Sequence, residues 1–208
     1  MDHDDFAVEP IEGLPEKPPS GEVILWQGKP DAWTLAKESM SLYWILGYFA
    51  ALAVWRVGVS SAEIPLVQAL PLALPFLILG AITGGLIMLI AWVQAKATVY
   101  TITSARVAMR VGAALTVTLN LPFSRIEAAD LDLKKSGTGT IAFKTAGETR
   151  LSYLVLWPHV RPWHARHTQP ALRCIPDAEK VARLIAETVE TRVDQPEVTR
   201  RPATVAAE

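Results

Sequence analysis

Between residues 39 and 94 the chain carries only two charged side chains, Arg56 and Glu63. No other feature restricts its fold so strongly. Residues 39–55 and 64–94 are each free of Asp, Glu, Lys and Arg. A helix of about 20 apolar residues is what crosses the roughly 30 Å hydrocarbon core of a bilayer. Arg56 can snorkel at a boundary, so the first stretch extends to Val59. The second stretch is longer than one span requires, and Pro65, Pro71 and Pro75 crowd its start. The second span is therefore expected at about residues 72–93, with the first prolines in or near the turn. Trp44, Tyr48, Trp55 and Trp92 fall near span ends, where aromatic anchors concentrate. Two buried helices of a soluble core are the competing reading, but a chain of 208 residues cannot cover both on every face.

The rest of the composition narrows the class further. Charged residues make up 20%, below the roughly 25% of soluble domains, and the net charge of -1 argues against a nucleic-acid partner bound through bulk positive charge. The single cysteine, Cys174, forms no internal disulfide and suits a reducing compartment. The acidic opening Met1-Asp2-His3-Asp4-Asp5 does not read as a secretory signal, and residues 1 to about 20 read as an extended tail. Gly21-Glu22-Val23-Ile24-Leu25-Trp26-Gln27-Gly28 differs, a strand-like apolar run expected to dock on something. Lys29 and Lys37 precede the first span, Lys96, Arg106 and Arg110 follow the second, and the connecting loop holds only Arg56. The positive-inside rule then predicts a multi-pass membrane protein with both termini cytoplasmic.

Within the spans, residues 39–55 and 64–94 hold no Asp, Glu, Lys or His, unlike a proton relay, a pump or a pigment-ligating helix. Gly80-Ala81-Ile82-Thr83-Gly84 forms a small-residue face. Gly80 and Gly84 are expected to pack a helix closely, within or between chains, with Gly47 and Ala51 as a weaker version.

Beyond Lys96 the apolar period becomes two. Val107, Met109 and Val111 alternate with Arg106, Ala108 and Arg110; Leu115, Val117, Leu119 and Leu121 alternate with polar neighbours; Ile141 and Phe143 flank Ala142; Leu151 and Tyr153 flank Ser152. Six or seven short strands are expected between residues 97 and 156. A helix beginning near Pro176 and Asp177 follows, with Val181, Leu184, Ile185, Thr188 and Val189 on one face and Glu179 four residues before Arg183 outside. The fold class is thus α+β: a two-helix transmembrane hairpin at 39–95, then a cytoplasmic antiparallel β-sandwich or barrel with a C-terminal helix at 96–193. Residues 1–38 form a tail with a docking segment, and residues 194–208 a disordered tail. Strands closed by one C-terminal helix follow the order of a pleckstrin-homology-like domain.

Candidate chemistry is sparse. Gly137-Thr138-Gly139 lacks the Lys-Ser/Thr of a P-loop and reads as a hairpin turn. His159, His164, His167 and Cys174 could bind zinc or ligate a pigment, yet their spacing matches no established zinc pattern. The chain is read as a non-enzyme with no metal or cofactor assigned. Residues 149–176 contain no Asp or Glu but hold Arg150, Arg161, Arg166 and Arg173 around Trp157 and Trp163. Arg with Trp is the composition of binding hot spots and also suits anionic headgroups. The expected partner-binding set is Arg150, Trp157, His159, Arg161, Trp163, Arg166 and Arg173. The alternative is a solvated loop whose tryptophans complete the core.

A two-span hairpin followed by Tyr100-Thr101-Ile102-Thr103-Ser104-Ala105-Arg106-Val107 resembles bacterial membrane-anchored pleckstrin-homology proteins. Gly21-Glu22, Leu25-Trp26-Gln27-Gly28-Lys29-Pro30, Asn120-Leu121-Pro122-Phe123, Gly137-Thr138-Gly139 and above all Leu156-Trp157-Pro158-His159-Val160-Arg161-Pro162-Trp163 resemble the PuhB family of purple bacteria, over about residues 10–190. That resemblance implies a non-catalytic factor assembling the photosynthetic reaction centre and its light-harvesting ring. Its implied partners are reaction-centre subunits, the light-harvesting complex, membrane lipids and a second copy of the chain. An anionic-lipid-binding module with another envelope role is the alternative.

Overall fold

A computed structural model describes residues 10–113, 116–134, 137–147 and 151–193; Arg150 and the tail 194–208 lie outside them. In chain order, strand β1 (Ile24–Gly28) leads into a single turn α1 (Ala32–Thr34), whose Asp31 cap accepts the Thr34 N–H. A π-helical turn, Leu35–Ser39, follows. Helix α2 (Leu42–Ser60) and helix α4 (Leu74–Ala97) run antiparallel, joined through α3 (Leu66–Ala69) and a 3₁₀ turn (Leu70–Ala73). The second apolar helix is therefore continuous over Leu66–Ala97, longer than the expected 72–93. Pro71 and Pro75 stand at the starts of successive helical segments, where their missing N–H groups break few helical bonds.

The two helices pack through the predicted glycines. A Cβ at Gly80 would lie 3.0 Å from Phe49 Cβ, and one at Gly84 3.0 Å from Leu46 Cδ2. Gly80 and Gly84 thus admit α2 of the same chain, whereas a Cβ at Gly47 would meet nothing within 4 Å. The remaining faces turn apolar side chains outward, including Leu77, Ile78, Ile82, Leu86 and Leu89.

Among the described residues there are seven strands, of which five, not the expected six or seven, lie between residues 97 and 156. They are β2 (Val99–Thr103), β3 (Arg106–Val111), β4 (Val117–Pro122), β5 (Ile126–Leu133) and β6 (Gly139–Thr145). A four-stranded antiparallel sheet is ordered β1-β2-β3-β4, and a three-stranded one β5-β6-β7, with β7 at Ala171–Ile175. The apolar run before the helices is β1, paired to β2 with Trp26 opposite Ile102. The helix pair is thus inserted between two neighbouring strands rather than placed ahead of a complete domain. Residues 11–14 are not a free tail. Leu14 is fully buried, Gln27 Nε2 donates to Glu12 O at 2.7 Å, and Lys29 pairs with Glu12.

The turn Thr103-Ser104-Ala105-Arg106 between β2 and β3 has a physical cause. Thr103 Oγ1 accepts the N–H groups of Ala105 and Arg106 and donates to Arg106 O, closing the β2–β3 turn; Arg106 pairs with Glu22 at 2.9 Å. Residues 151–156 are not a strand. Ser152 caps a helical turn, α5 (Tyr153–Leu156), accepting the Val155 N–H, because a capping side chain outweighs two residues of alternation. The C-terminal helix α6 (Ala178–Val193) buries Val181 and Ile185 and carries the Glu179–Arg183 pair at 3.2 Å. It covers β5 and β6. Tyr100, Ile102, Met109, Ile141, Phe143, Leu172 and Ile175 fill the core.

Candidate docking surface

The segment 157–163 runs from α5 toward β7, not straight into the C-terminal helix. Its backbone is fixed on both sides. His159 N–H donates to Leu156 O, Ala171 N–H to His159 O, and Arg161 N–H to Gln169 O. Val160 forms a bridge to Pro170 and is buried. These anchors bury residues 158–160 and leave Trp157, Pro162 and Trp163 exposed.

Two members of the expected docking set point inward. His159 is fully buried, its Nδ1 2.6 Å from the Tyr100 hydroxyl and its Nε2 3.1 Å from Thr98 Oγ1. The Arg173 N–H donates to the same Tyr100 oxygen. Burial, and next the nearby Arg173 charge, hold the imidazole down to about 3, so it stays neutral and structural. Burial likewise raises Tyr100 far above the usual phenol range. Arg173 is buried as well, its Nε and Nη2 donating to Ser39 Oγ and its Nη1 to Val160 O. Neither residue is a free surface group. The fold supplies polar partners, and hydrogen-bonded polar groups tolerate burial.

The other described members, Trp157, Arg161, Trp163 and Arg166, face out wholly or in part. Trp163 is 97% exposed, at φ 65°, and Trp157 is partly exposed. Trp163 therefore does not complete the core. Arg161 is half-buried and pairs with Asp130 and Gln169. Arg166 and His167, with Lys144 and Glu127, line a separate cavity of about 610 Å³. His164 Nδ1 lies 2.8 Å from Pro162 O, and Cys174 is buried beside Ser39. Among the described residues, no three His, Cys, Asp or Glu side chains gather in a metal-binding group.

A larger cavity, about 710 Å³, separates the segment from the base of the helix pair. Lys37, Glu38, Ser41 and Trp44 form the helical wall; Arg161, Pro162 and Trp163 form the loop wall. Its floor is the outer face of the second sheet, with Asp130, Asp132, Thr140, Ala142 and Arg173. The acid-free run thus meets carboxylates in space. The alternation of β5, with Asp130 and Asp132 on one face, was the signal for this. Trp44 and Lys37 carried no local signal beyond their position at the start of an apolar span.

A family model described as a bacterial PH domain matches residues 43–189. A protein of Rhodobacter capsulatus, described as an uncharacterized 23.7 kDa protein in the puhA 5′ region, is 47% identical over 209 residues, covering 100% of this chain and 98% of that one. No solved structure matches the chain.

Proposed function

This chain belongs to the bacterial PH domain family, and from that premise we propose that it is a non-catalytic, membrane-anchored assembly factor for the photosynthetic reaction centre and its light-harvesting ring. The carrying observation is the end-to-end relative at 47% identity in the puhA region of a photosynthetic bacterium. The finer reading as a PuhB-like protein rests on the Leu156-Trp157-Pro158-His159-Val160-Arg161-Pro162-Trp163 run, which also carries the exposed Trp163.

Membrane anchoring is supported by the two helices, whose most apolar windows have mean hydropathies of 1.5 and 2.4 with few buried side chains. Such a surface is unstable in water and stable in lipid. Lys37 and Lys96 at the domain end favour a cytoplasmic domain and cytoplasmic termini. A protease-cleavable tag at Ser60 is expected to be cut only from the periplasmic side and one after Glu208 only from the cytoplasmic side; the reverse pattern overturns this topology. Deleting the gene is expected to lower reaction-centre abundance severalfold while pigment synthesis continues. Affinity purification from gently solubilised membranes should recover reaction-centre subunits. Normal reaction-centre levels in the deletion strain would contradict the assembly role.

A further inference from the structure

We propose that the 710 Å³ cavity between the helix base and the second sheet is a phospholipid site, taking the phosphodiester of an anionic, hydroxyl-bearing headgroup such as phosphatidylglycerol. The inference rests on the membrane anchoring proposed above and is independent of the reaction-centre role.

Charge is the first argument. Four cations and three carboxylates line the cavity. Asp130 pairs with Arg161, while Asp132 and Glu38 both lie against Lys134. Lys37 and Arg173 are left with no carboxylate partner among the described residues. Arg173 is only 5% exposed, and its partners are a hydroxyl and a carbonyl. Those bonds satisfy some donors but bring no carboxylate of the described residues into direct contact with the guanidinium, an unfavourable state for a buried cation. A phosphodiester between Lys37 and Arg173 supplies the missing negative charge through charge-assisted hydrogen bonds. The glycerol hydroxyls can then donate to the outward carboxylates of the floor.

Backbone strain is the second. Among the described residues, four non-glycine positions have a left-handed φ. Ser41 at 57° and Trp163 at 65° stand on opposite walls of the cavity, and Cys174 at 52° directly follows Arg173. A π-helical turn carries Lys37 and Glu38 into the same space. Strained positions and π-turns concentrate at functional sites, and here they shape one cavity.

Depth decides the source of the phosphate. Trp44, 84% exposed, is in the first turn of α2 and lines the cavity. Near the same end, Lys96 Nζ lies 4.2 Å above the Trp92 ring and Trp33 packs edge-on against Tyr43. Such an aromatic and basic girdle lies at headgroup level. The cavity then opens where headgroups are, with the apolar surface of α2 beside it for the acyl chains.

The test uses the full chain reconstituted into phosphatidylcholine vesicles containing trace spin-labelled phosphatidylglycerol or spin-labelled phosphatidylcholine. Flotation of the protein with the vesicles first establishes insertion, so a failure of anchoring is seen separately. Electron paramagnetic resonance should show phosphatidylglycerol immobilised about tenfold more strongly than phosphatidylcholine, and Lys37→Gln should remove most of that preference. Arg173→Gln should do the same where it folds; Lys37, half-exposed, carries the test where it does not. Equal immobilisation of the two lipids, or a Lys37→Gln protein indistinguishable from the parent, overturns the proposal. Displacement of the lipid by millimolar inorganic phosphate overturns the lipid assignment in favour of a free anion.

Discussion

Lowering the pH from 7 to 5 is expected to destabilise the β domain by about 2 kcal/mol through His159 alone. The folded imidazole is held at about 3 by burial first and the Arg173 charge second, while in the unfolded chain it titrates near 6.5. Between these values the unfolded state binds the extra proton. Stability is therefore full above the unfolded pKa and falls as pH drops toward the folded one, by about 1.4 kcal/mol per pH unit. Thermal melts of the solubilised protein at pH 7, 6 and 5 should show this slope in the parent and lose it in His159→Gln, whatever the variant's starting stability. Parallel curves for the two proteins would show that the imidazole takes up its proton without unfolding.

Phe143→Ala is expected to cost about 3–5 kcal/mol, because the ring is fully buried between the sheets and its removal leaves a cavity. Trp163→Ala, a larger truncation, is expected to change stability by no more than about 0.5 kcal/mol, since the side chain is 97% exposed. Denaturant unfolding of both variants separates them. A Trp163→Ala protein as unstable as Phe143→Ala would return that tryptophan to the core. A stable Trp163→Ala protein with lost partner recovery would support docking.

The elements legible from sequence were those whose causes are local. The charge gap at 39–94 marked two long apolar helices, and Val181 with Ile185 marked the buried face of α6. The pairing of β1 was hidden, since Ile24-Leu25-Trp26 is apolar for reasons that lie on β2, more than 70 residues away. Strand β7 was missed because Ala171-Leu172-Arg173-Cys174-Ile175 shows no alternation: every residue is buried, including the arginine. His159 and Arg173 were read as surface groups from their polarity. Polarity does not report that Thr98, Tyr100, Ser39 and the Val160 carbonyl converge on them. The segment 157–163 was marked in the sequence as part of an acid-free run with tryptophans. The carboxylates that face it came from β5, whose approach depends on the sheet and not on neighbouring sequence.

The insertion of the helix pair between β1 and β2 imposes an order of events during synthesis. β1 emerges first and has no strand to join until some 70 further residues have followed. Closing so long a loop in a free chain is entropically unfavourable. Once α2 and α4 lie side by side, the two strands are delivered to the same end and the closure becomes short-range. In a membrane-anchored chain, correct insertion of both helices is then a precondition for completing the sheet. A copy whose helices fail to insert keeps the β2 edge unpaired and Trp26 displaced, a state with exposed strand edge and apolar surface that invites aggregation or degradation. The fold thereby makes a finished β domain a report that both helices have been correctly seated.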